Sequence, residues 1–176
     1  MIIGIDTDSH GFHWCSDVPV PDPQTGVMST QGHAVSSYGR AEDRYSLVFY
    51  SALEFFMGLR VPPIHVFCEE PLSLKNGRTN RILALSAGMV LGGFLGSATT
   101  YEQHAPLFWH WVDNMTWKRH VLKKGNIKKT LIPDIVRAHP AWTEEQREEA
   151  VFLDDPNLWD AWCILKYGEW FVERIQ

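Results

Sequence analysis

The chain has 176 residues, of which 45% are hydrophobic and 21% are charged, a composition typical of an ordinary globular protein. This length predicts one domain over residues 1–176. The net charge of −5 excludes a surface that is positive all over. The three cysteines are odd in number, widely spaced and set among apolar neighbours, which favours a reducing compartment over a disulfide framework. Because no secretory signal is recognisable, we expect a reducing, cytoplasmic location.

The first half of the chain predicts an antiparallel meander, then a helix, a strand and a second helix. The meander follows from three apolar runs separated by turn residues, such as "PDPQTG". The next segment shows apolar residues at the three- and four-residue spacing of a helix. The predicted strands are residues 2–6, 11–20, 32–37 and 64–69, and the predicted helices are residues 41–60 and 77–98.

The second half of the chain reads as one more strand followed by helices. The strand is predicted at residues 99–104, and the helices near residues 106–113, 127–138, 143–152 and 156–172. This order of elements predicts an α/β fold, in which an antiparallel meander and parallel strands form one mixed sheet with helices on both faces.

A run of 17 apolar and small residues, 82–98, is the longest of its kind in the chain. Ala84, Gly88, Gly92 and Gly96 recur at every fourth position, so one helical face allows close approach of another backbone. The run is at the lower limit of length for a membrane span. We expect a buried helix against the sheet or a partner subunit instead, and no membrane partner.

Two predicted strands end in a carboxylate directly after an apolar run, at Asp6 and Glu69. Burying a carboxylate is costly unless a cation meets it. Asp6 has two readings, since it could start the turn that leads to Gly11 or hold a metal ion. If the two strands are parallel neighbours, both acids lie at one edge of the sheet, where ligands bind in open α/β folds.

The start of the last predicted helix, "LDDPNLWD", supplies a third group of candidate ligands. Asp155 precedes Pro156, as a helix N-cap commonly does, and capping alone explains it. Asp160 lies just over one turn further on, and Asn157 shares its helical face. Asp160 has apolar neighbours and needs a partner, for which a metal ion is one answer.

Charge is distributed unevenly along the chain. Residues 117–129 hold six Lys or Arg and no acid, whereas residues 143–155 hold six acids and one Arg. A local basic segment can contact phosphates even when the whole chain is acidic, although a solvated helix face has the same composition.

Four segments together resemble the motifs of the RuvC-type Holliday-junction resolvases, phage and bacterial enzymes of the RNase H-like nuclease superfamily. "GIDTDSHGFHW" is similar to the first-strand motif, and "VFCEEPLSLKNGRTNRILALSAG" is similar to the second, in which Lys75-Asn76 points to Glu69 rather than Glu70. "WKRHVLKKGNIKK" resembles the family's basic stretch, and "DPNLWDAWCILKYG" resembles its last motif. The four segments follow the family's order.

The resemblance implies an RNase H-like fold and an endonuclease that resolves four-way (Holliday) junctions by two-metal phosphodiester hydrolysis, with two Mg²⁺ or Mn²⁺ ions. It implies Asp6, Glu69 and Asp160 as catalytic metal ligands. The family has an acid or a histidine where this chain has Asn157. The fourth ligand therefore stays open between Asn157 and Asp155, with a slight preference for Asp155 as a catalytic carboxylate.

The resemblance also implies a branched-DNA partner, held through its phosphates, and a homodimer whose two-fold symmetry suits a four-way junction. The helical face from Ala84 to Gly96 is a candidate for the dimer contact. The expected location is the cytoplasm of a bacterial or phage-infected cell. The expected DNA-binding residues are Lys75, Lys118, Arg119, Lys123, Lys124, Lys128 and Lys129.

Two alternatives stay open. A related nuclease that cuts other branched DNA or RNA–DNA hybrids would use the same metal ligands. A non-catalytic, nucleic-acid-binding member of the fold would keep the basic stretch and could lose acids, and Asn157 is the residue that keeps this alternative open.

Overall fold

The computed structural model describes residues 1–35, 41–59, 64–71, 77–100, 106–138, 140, 143–144, 148 and 155–175. The described strands are β1 (Ile2–Thr7), β2 (Gly11–Pro21), β3 (Met28–Val35), β4 (Ile64–Glu69) and β5 (Leu107–Val112). The described helices are α1 (Ala41–Gly58), α2 (Gly77–Thr100), α3 (Asn114–Val121), α4 (Ile132–Ala138) and α5 (Pro156–Ile175), with a short 3₁₀ turn at Lys129–Leu131.

The five strands form one mixed sheet in the order β3-β2-β1-β4-β5. The first three strands are an antiparallel meander, because β1 pairs with β2 and β2 pairs with β3 in opposite directions. β4 runs parallel to β1 on its other side, and β5 runs parallel to β4 at the edge. The predicted combination of an antiparallel meander with parallel strands is confirmed.

Helices cover both faces of this sheet, as predicted. On one face α1 and α2 pack over a cluster that includes Ile5, Phe12 and Phe55, and the two phenylalanine rings make an edge contact. On the other face α3, α4 and α5 pack over a cluster that includes Phe67 and Trp162. Strands buried on both faces explain why β1 and β4 read as apolar runs.

The order of elements after α2 differs from the prediction. Residues 106–113 were expected to be helical, but they contain β5, in which Phe108, His110 and Val112 alternate with residues on the other face. The strand expected at 99–104 is wrong for residues 99–100, which end α2, while residues 101–105 lie outside the described residues. Most of the helix predicted at 143–152 also lies outside them.

α3 is a helix that the sequence did not predict. It begins after Asp113, whose side chain accepts a hydrogen bond of 2.9 Å from the backbone N–H of Thr116. This is a typical N-cap. The aromatic run before Asp113 obscured it, because a short apolar run does not distinguish a strand from a helix.

α2 packs mainly against α1 through a close backbone contact. A Cβ atom added to Gly93 would lie 2.7 Å from the Ala52 side chain, so only glycine fits. Gly92 and Gly96 lie beside this contact, whereas a Cβ on Gly88 would meet nothing within 4 Å. By length and composition alone, Gly77–Thr99 is the one helix in the described part of the chain that could cross a membrane.

Candidate active site

Two acids lie together at one edge of the sheet because β1 and β4 are parallel neighbours. The paired residues Ile5 and Cys68 are buried, and the next residue in each strand is Asp6 or Glu69. Asp6 is only 8% exposed, although it is a carboxylate at the end of an apolar strand. The expectation that parallel strands bring these two ends together is confirmed.

α5 brings the third acid to the same place. Gly4 lies in the centre of β1, and a Cβ atom there would collide with the backbone of α5 at Ala161 and Leu165. The missing side chain therefore allows the helix to lie directly on the strand. Asp160 precedes Ala161 and is 5% exposed, and its Oδ1 atom has no hydrogen-bond partner among the described residues.

A lysine ammonium lies among these acids. Lys129, in the 3₁₀ turn, places its Nζ atom 3.1 Å from Oδ2 of Asp6 and 2.8 Å from Oδ2 of Asp160. The same atom donates a hydrogen bond of 2.8 Å to Oδ1 of Asn157. Three side-chain oxygens from β1 and α5 thus converge on one positive charge.

Glu69 is held by two donors from α3. The Asn114 amide donates to Oε1 at 2.7 Å, and the Trp117 indole N–H donates to Oε2 at 3.0 Å. Burial raises the pKa of Glu69, and the nearby Asp160 raises it further, while the two hydrogen bonds act in the opposite direction. Both carboxylate oxygens are thereby fixed in place.

Both side-chain oxygens of Asp155, at the start of α5, have partners. Its Oδ1 atom accepts a hydrogen bond of 2.8 Å from the backbone N–H of Asn157, which is the bond of an N-cap. Its Oδ2 atom lies 3.2 Å from Nε2 of the buried His13 on β2. Burial lowers the pKa of His13, which favours a neutral imidazole that donates to Asp155. Asn157, rather than Asp155, contacts the ammonium of Lys129.

The crowding of acids shifts the protonation of the site. Burial raises the pKa of Asp6 to about 8, and Asp160 and Glu69 raise it while Lys129 opposes them. Burial alone would lower the pKa of Lys129, but Asp6 and Asp160 outweigh it and raise that pKa. The site therefore carries more negative charge than one lysine neutralises, and it favours an additional proton or cation.

The side chains present fit a hard divalent cation. Among the described residues, no three His, Cys, Asp or Glu side chains are already arranged to hold a metal ion. Asp6, Asp160 and Asn157 nevertheless direct oxygen atoms at one cation, and Mg²⁺ and Mn²⁺ prefer oxygen donors. The Oδ1 atom of Asp160 supplies another oxygen, with Glu69 at the adjacent strand end.

The basic segment runs from α3 to the site. Arg119, Lys123, Lys124 and Lys128 are exposed along the path that leads to Lys129. Lys118 differs from them, since it is 8% exposed and its ammonium lies 4.9 Å from the centre of the Trp117 ring. Lys75 lies outside the described residues. The roles predicted for these cations in DNA binding stay predictions.

Sequence reasoning missed the residues that hold the acids in place. Asn114 precedes the basic segment in "DNMTWKRH" and Trp117 is its first residue, and only the N-cap at Asp113 could have placed both on a helix. His13 on β2 lies directly opposite Asp6 on β1. That position could be predicted only with knowledge of the pairing register of the two strands. Of the predicted site residues, Asp6, Asp160 and Asn157 meet at the Lys129 ammonium, and Glu69 lies at the adjacent strand end.

No protein-family model matches the chain, and no curated protein matches it in sequence. Solved structures do match its fold. T. thermophilus RuvC in complex with Holliday junction substrate aligns with a TM-score of 0.61 and 20% identity, covering 98% of this chain and 94% of that one. A Thermus thermophilus RuvC structure aligns with a TM-score of 0.62 and 19% identity, covering 98% and 95%. The chain has the RNase H-like fold of these RuvC structures.

Proposed function

We propose that this chain is a divalent-metal-dependent endonuclease that cuts branched DNA, with the four-way junction as its substrate. The observation that carries the proposal is the convergence of Asp6 and Asp160 on one cation position, 3.1 and 2.8 Å from the Lys129 ammonium. A solved structure of similar fold contains RuvC with a Holliday junction substrate. That similarity supports the choice of substrate, and the acids support the choice of chemistry.

The proposed ligands are the acids at the edge of the sheet together with one amide. Asp6, Asp160 and Glu69 would hold the two ions, and the charges of Asp160 and Glu69 both already act on Asp6. Asn157 is the better supported fourth ligand, because its oxygen contacts Lys129 whereas Asp155 caps α5 and pairs with His13. Two such ions would lower the pKa of a water nucleophile and stabilise the leaving 3′ oxygen.

The chain's own residues would then position the reacting groups. Asn114 and Trp117 fix the orientation of Glu69, and the backbone contact at Gly4 fixes α5 and Asp160 relative to β1. The exposed cations between Arg119 and Lys128 would bind backbone phosphates, which positions DNA without reading its sequence.

We further propose that the chain acts as a homodimer. The face of α2 around Gly88 supports this proposal, because it is exposed and a Cβ there would meet no atom within 4 Å. Leu85, on the same turn, is also exposed. Two copies related by a two-fold axis would bring two sites to the paired strands of a junction. The mass of the protein in solution, measured by light scattering, tests this point.

A cleavage assay with four labelled substrates tests the proposed function. Four-way junction, flap, linear duplex and RNA–DNA hybrid are each incubated with Mg²⁺, with Mn²⁺ and with EDTA. We expect metal-dependent cutting that favours the four-way junction. A preference for flap or hybrid would identify the related nuclease, and tight junction binding with no cutting in either metal would identify a non-catalytic binding protein.

Variants of the proposed ligands, with a neighbouring acid as the matched control, test the choice of residues. Asp160→Asn and Glu69→Gln should each reduce cutting by about 10²–10³-fold or more, because each removes a charge that stabilises the transition state. Glu70→Gln should change the rate little, since Glu70 is exposed next to Glu69. If Glu70→Gln is the inactive variant instead, Glu69 is not a ligand.

A further inference from the structure

The ammonium of Lys129 lies where a cation would be bound, and this makes the lysine more than a phosphate contact. It touches one oxygen each of Asp6, Asp160 and Asn157, the set proposed for the metal. We infer that Lys129 is an internal counter-cation of the site, which a divalent ion displaces and which then binds a DNA phosphate. Metal loading and DNA binding would thereby be coupled. The inference rests on the proposed metal ligands.

The lysine and a metal ion cannot hold these oxygens at the same time. Each of the three contacts lies between 2.8 and 3.1 Å. A metal–oxygen bond is about 2.0–2.6 Å long, so an ion that shares these ligands would overlap the ammonium. Two positive charges at such a separation would also repel each other strongly. Binding of an ion to these three oxygens therefore requires Lys129 to move.

Lys129 is the part of the site that can move. Asp6 belongs to the central strand and Asp160 to the buried side of α5, and their side chains are 11% and 7% exposed. The side chain of Lys129 is 35% exposed and extends from a three-residue 3₁₀ turn. A lysine has a flexible four-carbon stem, so its ammonium can turn towards solvent without any change in the backbone.

The displaced ammonium would join a surface that is already basic. Lys128 precedes it in sequence and is exposed, and Lys124 and Arg119 lie earlier in the same segment and are exposed as well. A phosphate bound by this segment would therefore attract Lys129 out of the acid cluster. By thermodynamic linkage, DNA would raise the affinity for the metal ion as much as the ion raises the affinity for DNA.

Manganese titration of the DNA-free protein tests the competition. We compare the wild type with Lys129→Met, which keeps the stem and removes the charge, and with Lys129→Gln as a second neutral variant. Isothermal titration should show the first Mn²⁺ bound about tenfold more tightly by both variants, since removing a competing interaction worth about 1.4 kcal/mol has that effect. Lys128→Met is the matched control and should bind Mn²⁺ as the wild type does.

Thermal unfolding of the same proteins gives a second readout that applies even if a variant is less stable. Without metal, Lys129→Met should unfold at a lower temperature than Lys128→Met, because the acids lose their counter-cation. Mn²⁺ or Ca²⁺ should then raise the Tm of Lys129→Met by more than that of the wild type. An equal or smaller rise in Lys129→Met, together with unchanged Mn²⁺ affinity, would overturn the inference.

The salt dependence of junction binding tests whether the displaced Lys129 ammonium binds a DNA phosphate. In wild type, Ca²⁺ should steepen the log–log salt slope by about 0.9 more than it does in Lys129→Met, because the released ammonium neutralises one further phosphate. Equal changes in both proteins would mean that the lysine does not reach DNA. If none of the proteins, wild type included, binds Mn²⁺, the proposed metal site itself is contradicted. If all of them bind Mn²⁺ with equal affinity, only the role of Lys129 is contradicted.

Discussion

The protonation of Asp6 has a consequence for stability that can be measured without DNA. Its pKa in the folded protein is raised from 3.8 to about 8, mainly by burial. A raised pKa means that protonated Asp6 contributes stability, which is fully present below the unfolded pKa and is lost as the pH rises through about 8. The metal-free protein should therefore lose stability from this group between about pH 4 and pH 8.

Asp6→Asn isolates this contribution because asparagine resembles the protonated acid. We expect the variant to have the higher Tm at a pH above the raised pKa, in EDTA, by roughly 4–8 °C, which corresponds to about 2 kcal/mol. The difference should shrink steadily as the pH is lowered towards the unfolded pKa. Buried histidines titrate alike in both proteins, so they cancel in the comparison. A difference that does not vary with pH would show that Asp6 is ionised throughout.

Asp155 and Asn157 differ in what they contact, and this predicts that substitution of Asp155 affects the helix cap and not the chemistry. Asp155→Asn should retain cleavage and stability within about 0.5 kcal/mol, because asparagine caps a helix about as well and can still accept a hydrogen bond from His13. Asp155→Ala should lose about 1 kcal/mol through the missing cap, measured by urea unfolding. Cleavage reduced by orders of magnitude in Asp155→Asn would instead identify Asp155 as a metal ligand.

At the scale of elements, the strands that carry the acids, β1 and β4, were predictable from the sequence, whereas the edge strand β5 was not. β4 matches its prediction at residues 64–69, and β1 ends one residue later than predicted, because both are apolar runs bounded by turn residues. β5 is also rich in large apolar side chains, yet Phe108 and Trp111 are each 43% exposed, as an edge strand permits. Its pattern did not match that of a buried strand and was interpreted as a helix, whereas tertiary pairing with β4 makes it a strand.

The contact between β1 and α5 should be the one where adding a single methyl group costs the most stability. Gly4→Ala would place a methyl group against the backbone of α5, which cannot move aside as a flexible side chain would. We expect a loss of about 3 kcal/mol or more, or failure to fold. Gly88→Ala is the matched control, since that position is open and helical, and alanine there should stabilise by up to about 1 kcal/mol. Equal unfolding midpoints for the two variants would contradict the close approach.

At the scale of the whole molecule, an acidic chain should still bind DNA through one basic surface. Lys124→Ala and Lys128→Ala should each reduce the log–log salt slope of junction binding by about 0.9 for every phosphate that is no longer neutralised. Arg81→Ala is the control, because Arg81 is exposed on α2, which covers the opposite face of the sheet from the basic segment. A slope unchanged in both lysine variants would indicate that the segment is only a solvated surface.

The sequence was sufficient to predict the acids but not the contacts between them. The apolar runs that end in Asp6 and Glu69 made both acids candidates, but the choice of Glu69 over Glu70 and the role in metal binding came from the family resemblance. The position of the Lys129 ammonium depends on a turn that lies 123 residues from Asp6 along the chain. The pairing of His13 with Asp155 similarly joins two distant elements, and no local periodicity predicts such pairs.

The two acids that meet at the Lys129 ammonium belong to elements made at very different times. A ribosome completes β1 long before α5, with roughly ten to thirty seconds between Asp6 and Asp160 at ordinary rates of elongation. During that interval one side of β1 has no helix to cover it, because Gly4 contacts α5. A nascent chain can therefore form the meander, but it cannot assemble the acid cluster. The proposed nuclease would be harmless to nearby nucleic acid until its synthesis has reached the last helix.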